Sequence, residues 1–176
     1  MSYLFYLRKL NDREAFSTGN LIDPGYTVTL WNPDRGKIIP PKVFLKPFVV
    51  WWLFHKTRTF ANRDYAVLNI YKRDTLVHRT GVFPRYFRFP FMAENDLQLG
   101  DTWTASDHRS RGLATYAINL ILQLCAKPGR SFWYIVEDDN KASIRVIEKS
   151  GFSLVGEGVR VKRIGLALFG AYVIRH

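Results

Sequence analysis

The sequence predicts a mixed α/β domain: a central, mostly antiparallel sheet flanked by helices. Three observations carry this. Strand patterns joined by a tight turn fill the middle of the chain, and helical stripes then alternate with strands towards its end. The two strands flanking the clearest helix must run parallel, because a strand–helix–strand unit is a crossover. The 176 residues, 47% apolar and 23% charged, suit one globular unit. A chain of that size buries about 70% of its unfolded surface without a disulfide or metal.

In residues 1–40, strand-like pieces are broken by turn chemistry at Asp23-Pro-Gly25 and at Asn32-Pro-Asp-Arg-Gly36. Tyr26 to Trp31 alternates as a strand does. After Pro40-Pro41, Lys42 to Phe54 reads as a helix with Val43, Phe44, Pro47, Val50, Trp51 and Phe54 on one face. Tyr65 to Tyr71 and Thr75 to Phe83 read as two strands joined by a turn at Lys72-Arg73-Asp74. Pro84 and Pro90 bracket an Arg-aromatic stretch, Arg85-Tyr-Phe-Arg-Phe89. Leu97 to Thr104 is the next strand. Residues 113–126 carry a helical stripe of Ala114, Ala117, Ile118, Ile121, Leu122 and Cys125, which Lys127-Pro-Gly129 ends. Phe132 to Val136 is a short buried strand. Asn140 to Ser150 is an Asn-capped helix stopped by Gly151. Val155 to Val161 and Leu166 to Ile174 close the chain as strands.

Composition narrows the function classes. The single Cys125 excludes an intramolecular disulfide and a cysteine zinc cluster, and it falls on a core-facing helix stripe. Four scattered histidines (His55, His78, His108, His176) lack metal spacing, so no metal is expected. The apolar residues of Met1–Leu7 precede Arg8-Lys9, the reverse of a secretory signal. The longest apolar run, Phe48–Phe54, is seven residues, against the ~20 of a membrane span. The expectation is a cytoplasmic protein.

Charge is the unusual quantity. Lys and Arg number 26 and Asp and Glu 15, for a net charge of +11. That balance favours an anionic partner: nucleic acid, an acidic membrane surface or a phosphorylated ligand. Residues 1–95 hold 15 basic and 7 acidic residues, and residues 96–176 hold 11 and 8. No five-residue Lys/Arg run or reader-helix motif appears, which makes nucleic acid the weaker reading. The aromatic content, 15%, suits either a core or a stacking surface.

The junction Ser106-Asp-His-Arg-Ser-Arg-Gly-Leu-Ala114 joins a strand to the long helix. A helix N-terminus offers unpaired N–H groups and partial positive charge, so it suits a phosphate. Gly112 has no Cβ and lets an anion reach the backbone. Ala114 keeps the first turn open, and Arg109 and Arg111 add charge. The expected ligand group is a pyrophosphate or a similar polyanion.

These residues resemble a known family. Arg109-x-x-Gly112-x-Ala114 is similar to the Arg/Gln-x-x-Gly-x-Gly/Ala acyl-coenzyme A loop of the GCN5-related N-acetyltransferases (GNAT). Asn140-Lys-Ala-Ser143, ending in Gly151-Phe152, resembles that family's Asn-x-x-Ala/Ser helix. The resemblance covers about residues 64–174. It implies one domain over 1–176, with a core at 64–174 and an acceptor-side part at 1–63. The sheet would be splayed between strands 97–104 and 131–136, with acetyl-CoA in the V and no metal.

The resemblance also implies roles. The pyrophosphate would lie on Arg109, Ser110, Arg111, Gly112, Leu113, Ala114 and Thr115. The pantetheine arm would pair near Trp103, Thr104 and Ala105. Asn140, Ser143 and Arg145 would face its reactive end. An amine acceptor would attack the thioester directly, needing a base and an oxyanion donor. Asp101, three residues before Thr104, is the first choice of base, ahead of Asp107 and His108. Many members carry a tyrosine proton donor where this chain has Ile147, which leaves Ser143, Tyr134 and Tyr172 as candidate acids. The Arg-aromatic stretch follows the residues themselves: Arg85 and Arg88, with His78, would bind an anionic acceptor such as a nucleotide-linked amino sugar. A protein or peptide amine, a nucleic-acid-binding module, and a coenzyme-binding fold without catalysis stand as alternatives. A homodimer is left open.

Overall fold

The computed structural model describes residues 2–10, 25–35, 45–163 and 166–175. Among these residues eight strands form one sheet. They are β1 (Tyr3–Lys9), β2 (Tyr26–Trp31), β3 (Ala66–Lys72), β4 (Thr75–Pro84), β5 (Leu97–Thr104), β6 (Ser131–Glu137), β7 (Ser153–Arg163) and β8 (Leu166–Arg175). The helices are α1 (Leu45–Lys56), α2 (Leu113–Leu124) and α3 (Lys141–Lys149). This is the mixed, mostly antiparallel sheet that the sequence implies. Asp23 and Pro24 of the first expected turn, Gly36 of the second, Pro40-Pro41 and residues 42–44 of the first expected helix lie outside the described residues.

The strand order is β2-β3-β4-β5-β6-β1-β7-β8, and β5–β6 is the parallel pair. Their register holds for three residues, Leu97↔Phe132, Gln98↔Trp133 and Leu99↔Tyr134. Beyond Leu99 the strands part, and the sheet becomes two arms, β2 to β5 and β6 to β8. The first strand lies deep in the sheet. Tyr3–Lys9 is an interior strand, antiparallel to β6 on one side and to β7 on the other. Part of 1–63 therefore lies inside the second arm.

Each face of the sheet has its own core. Helix α2 presents Leu113, Ala117, Ile118, Ile121 and Leu122 to one face, close to the expected stripe. Ile147 of α3 joins them. The opposite face is aromatic: Trp51 of α1 packs on Tyr65 and Phe83, Phe48 packs on Trp51, and Phe54 packs on Phe60 and Tyr86. The buried side of α1 shares Trp51 and Phe54 with the expected one and differs elsewhere. Phe48 and His55 are buried, whereas Val50 is 45% exposed beside Val49 and Leu53. A helix apolar all round gives no period from which to choose a face, and the bulky rings take the core. The stretch 85–92 crosses this face of the second arm, with Phe91 against Phe5 and Trp133 and Phe89 stacked on Tyr172.

Where β5 and β6 touch, buried polar groups clamp them. Asp96 accepts from the Ser131 and Ala93 amides and from Trp133 Nε1 at 2.9–3.0 Å. Arg130, 3% exposed, donates to the Cys125 and Asn95 carbonyls, both at 2.7 Å, and pairs with Asp64.

Candidate functional site

The open end of the V begins at a β-bulge. In the β4–β5 ladder Arg79 faces Trp103 and Gly81 faces Gly100, so Asp101 and Thr102 together oppose Thr80. Asp101 takes φ +48°, in the left-handed region. A bulge of this kind leaves a residue out of the ladder and re-aims its neighbours. Asp101 points to the α1 face, where Arg79 grips its carboxylate through two bonds of 3.0 and 3.2 Å. The Arg79 guanidinium also lies over the Phe48 and Trp103 rings, 5.8 and 5.9 Å from their centroids. The expected base is thus held in a bidentate ion pair. Arg79, which ties it down, escaped sequence reasoning because the pairing crosses two strands and a bulge.

On the opposite face His78 lies under the end of β5. Its Nδ1 is 2.8 Å from Thr104 Oγ1 and its Nε2 3.0 Å from Thr80 Oγ1. Burial pushes its pKa down to about 4, so the imidazole is neutral near pH 7, with one nitrogen donating and the other accepting. His78 is fully buried, which corrects its expected contact with the acceptor.

The loop after β5 is held at three points. The Ala105 amide donates to Val77 O at 2.9 Å, and Arg109 Nε donates to Thr104 O at 3.3 Å. The Tyr26 hydroxyl and His108 Nδ1 are hydrogen-bonded at 2.8 Å, so the start of β2 anchors the 3-10 turn Ser106–His108. Ser110 and Gly112 then take φ +58° and +77°. Glycine enters that region without Cβ strain, and here it opens α2 with no side-chain cap. The amides of Leu113, Ala114 and Thr115 lie in that uncapped first turn. Arg109, Ser110, Arg111 and Gly112 are exposed, as a charged ligand would require. Trp103, Thr104 and Ala105 lead into the same place.

Across the V, β6 runs into α3. Asn140 caps α3 by accepting from the Ser143 amide at 3.1 Å. Ser143 is half-buried and Arg145 exposed. Ile147 is fully buried in the core. Tyr134 is 5% exposed in the same core, on the α2 face and away from Asp101. Tyr172 lies on β8, and its ring reaches back along the α1 face to pack edge-on against Tyr3 and Phe5 of β1, at 5.0 and 6.3 Å between centroids. Its backbone amide donates to Arg88 O, and the Arg160 guanidinium lies 6.0 Å from its ring centroid. Arg85 and Arg88 therefore part company. Arg85 follows Pro84, which faces Leu97 at the closed end, and lines a depression of about 330 Å³ with Tyr86, Phe87 and Pro90.

Among the described residues no group of three or more His, Cys, Asp or Glu is arranged to hold a metal, and no helix is long and apolar enough to cross a membrane. Cys125 is half-buried, and desolvation pushes its thiol up to about 11.

The family model described as "Acetyltransferase (GNAT) family" matches residues 31–152. Similar solved structures include a GNAT-family protein from Novosphingobium aromaticivorans, 18% identical, with a TM-score of 0.56, aligned over 89% of this chain and 60% of that one. A tandem GNAT protein from the clavulanic acid biosynthesis pathway is 15% identical, with a TM-score of 0.59 and coverage of 87% and 50%. A GCN5-related N-acetyltransferase from Sphaerobacter thermophilus is 11% identical, with a TM-score of 0.57 and coverage of 89% and 49%. At these identities the likeness is one of fold, and the chain spans about half to three-fifths of their length. No curated protein matches.

Proposed function

The chain belongs to the GNAT family of acetyltransferases, and from that membership we propose that it moves an acetyl group from acetyl-CoA to the primary amine of a small anionic acceptor. The observation that carries the reading is the meeting, at the open end of the V, of a bulged strand and an uncapped helix start at Gly112. The helix start suits the coenzyme pyrophosphate, with Arg109 and Arg111 adding charge. The strand end Trp103–Ala105 suits the pantetheine amides. The backbone freed by the bulge at Asp101–Thr102 suits the thioester oxygen as it gains charge.

Helix α2 and its loop pack on one face, so the coenzyme enters from there and the acceptor meets the thioester on the α1 face. The amine nitrogen attacks the thioester carbonyl carbon, and the C–S bond breaks with its electron pair on sulfur. Ile147 leaves no proton donor at the motif's tyrosine position, so solvent protonates the thiolate. Asp101 keeps Arg79 and the bulge in place. Arg88, joined by Arg160, favours an acceptor with an anionic group; a nucleotide-linked amino sugar is one such molecule. Tyr134, Ser143 and Tyr172 take no part as acids in this reading, and Arg85 and His78 do not touch the acceptor.

The buried Ile147 also favours a second reading, coenzyme binding without transfer. Two measurements test both. Acetyl-CoA at 100 times its Kd should stabilise the protein by about 2.7 kcal/mol, and DNA should not. Mass spectrometry of anionic primary amines incubated with enzyme and acetyl-CoA should show the acetyl adduct. Stabilisation without an adduct supports the second reading, and no stabilisation by acetyl-CoA overturns both.

A further inference from the structure

Two carboxylates flank the open V on the acceptor face, and they stand in opposite circumstances. Asp101, on the β5 side, is gripped by Arg79. Glu137, the last residue of β6, faces it from the other wall. The parallel register fixes its level: Leu99 pairs with Tyr134, so Glu137 lies three residues past the last contact, level with Thr102. Alternation fixes its face. Trp133 and Ile135 of β6 pack on the aromatic core, and Glu137 continues that series. Its cross-strand partner is Tyr3, whose ring packs edge-on against Tyr172. Among the described residues the Glu137 side chain has no ion pair or hydrogen bond, and it remains half-exposed.

We propose that Glu137 is the catalytic base, taking a proton from the acceptor's ammonium group so that the neutral amine can attack the thioester. This rests on the acetyltransferase reading above. Glu137 passes that first proton to solvent, and as the C–N bond forms it takes the second proton that nitrogen must lose. The C–S bond breaks, the thiolate leaves with the electron pair, and a solvent proton completes the thiol. Glu137 returns its second proton to solvent, so nitrogen has lost two protons, sulfur has gained one and one is released. The groups facing Glu137 are Tyr3 from β1 and Tyr172 from β8, with Arg160 of β7 and Arg88 of the 85–92 stretch behind them. Burial, its largest cause, raises the Tyr172 pKa, and the Glu137 charge adds to that. Tyr172 therefore stays protonated and does not compete for the amine proton. A carboxylate needs no electrostatic partner to work here, because the incoming ammonium group supplies the opposite charge. Sequence reasoning passed over Glu137 because it opens the acidic run Glu137-Asp-Asp139, which reads as a solvated loop.

The test compares wild type with Glu137→Gln and Glu137→Asp in the full chain. Aminoethyl phosphate and glucosamine 6-phosphate serve as acceptors from pH 6.5 to 9.5. Glu137→Gln should lower kcat about 100-fold near neutral pH, with acetyl-CoA affinity unchanged. The deficit should shrink as pH rises, because solution then supplies the neutral amine. Glu137→Asp should recover part of the rate. A Glu137→Gln rate within about threefold of wild type, or a deficit that stays constant with pH, overturns the assignment alone. A wild type that acetylates neither amine overturns the anionic-acceptor reading and the assignment with it.

Discussion

At the closed end of the β5–β6 pair, buried Asp96 and Arg130 satisfy backbone and side-chain groups from four segments of the chain. At the open end, a few residues further along the same strands, Gly112 begins a helix with no side-chain cap and Glu137 has no partner among the described residues. The contrast is physical. A pair of strands closes along its whole length unless its divergence is fixed where the strands still touch. The buried clamp sets the angle at Leu99 and Tyr134, and the cost is met there by full hydrogen bonding. The open end can then keep polar groups unsatisfied, ready for a ligand that carries charge.

Breaking the clamp should have the largest effect. Arg130→Ala leaves Asp64 and two carbonyls short of a buried donor and should cost about 3–5 kcal/mol, read by urea melting. An unchanged midpoint would mean that the angle is held elsewhere. The next effect belongs to His78 at the open end. Its folded pKa of about 4 lies below the value of about 6.5 in the unfolded chain. Its contribution is therefore complete above pH 6.5 and is lost as pH falls through 4, up to about 3 kcal/mol. His78→Gln should flatten the stability profile in that window, and a parallel profile would refute this.

Gly112→Val should cost about 1–2 kcal/mol for a Cβ in the left-handed region and weaken acetyl-CoA binding about tenfold or more, measured by calorimetry. Asp101→Asn disrupts a half-exposed ion pair, so it should cost under about 1 kcal/mol. It should also lower kcat less than about tenfold, well short of the loss expected of a general base. A hundredfold loss would return the base to the β5 wall. The smallest effect separates two arginines: Arg88→Ala should raise the acceptor's KM by a few-fold, about the loss of one exposed charged contact. Arg85→Ala, at the closed end, should leave that KM alone.

What the sequence made legible was local. Leu97–Thr104 has the bounds read from it, and the α2 stripe falls on its core, because both are set by residues a few positions apart. The helix start without a side-chain cap was legible for the same reason, since Gly112 directly precedes the helical stripe. Contacts made across the fold were not. The Asp101–Arg79 pair crosses two strands, and the expected acceptor contact of His78 meets two threonines within hydrogen-bond distance of its ring nitrogens instead. The face of α1 is legible only in part: Trp51 and Phe54 pack on the core as expected, whereas Val50 is exposed and Phe48 is buried in its place. Nor does the sequence show that Tyr172 of β8 packs against Tyr3 at the other end of the chain.

The place of β1 bears on how the chain is made. Tyr3–Lys9 leaves the ribosome well before its partners, which begin at Ser131 on β6 and at Ser153 on β7. At synthesis rates of about 5–20 residues per second, the strand waits roughly 6–30 seconds for both neighbours. Through that interval it is a short apolar ribbon with two open edges, the form in which nascent chains pair wrongly with one another. Arg8 and Lys9 at its end supply the charge that discourages such pairing. In the finished fold Arg8 bonds the Ser150 carbonyl beyond α3, so a residue that shields the waiting strand ends as part of its closure.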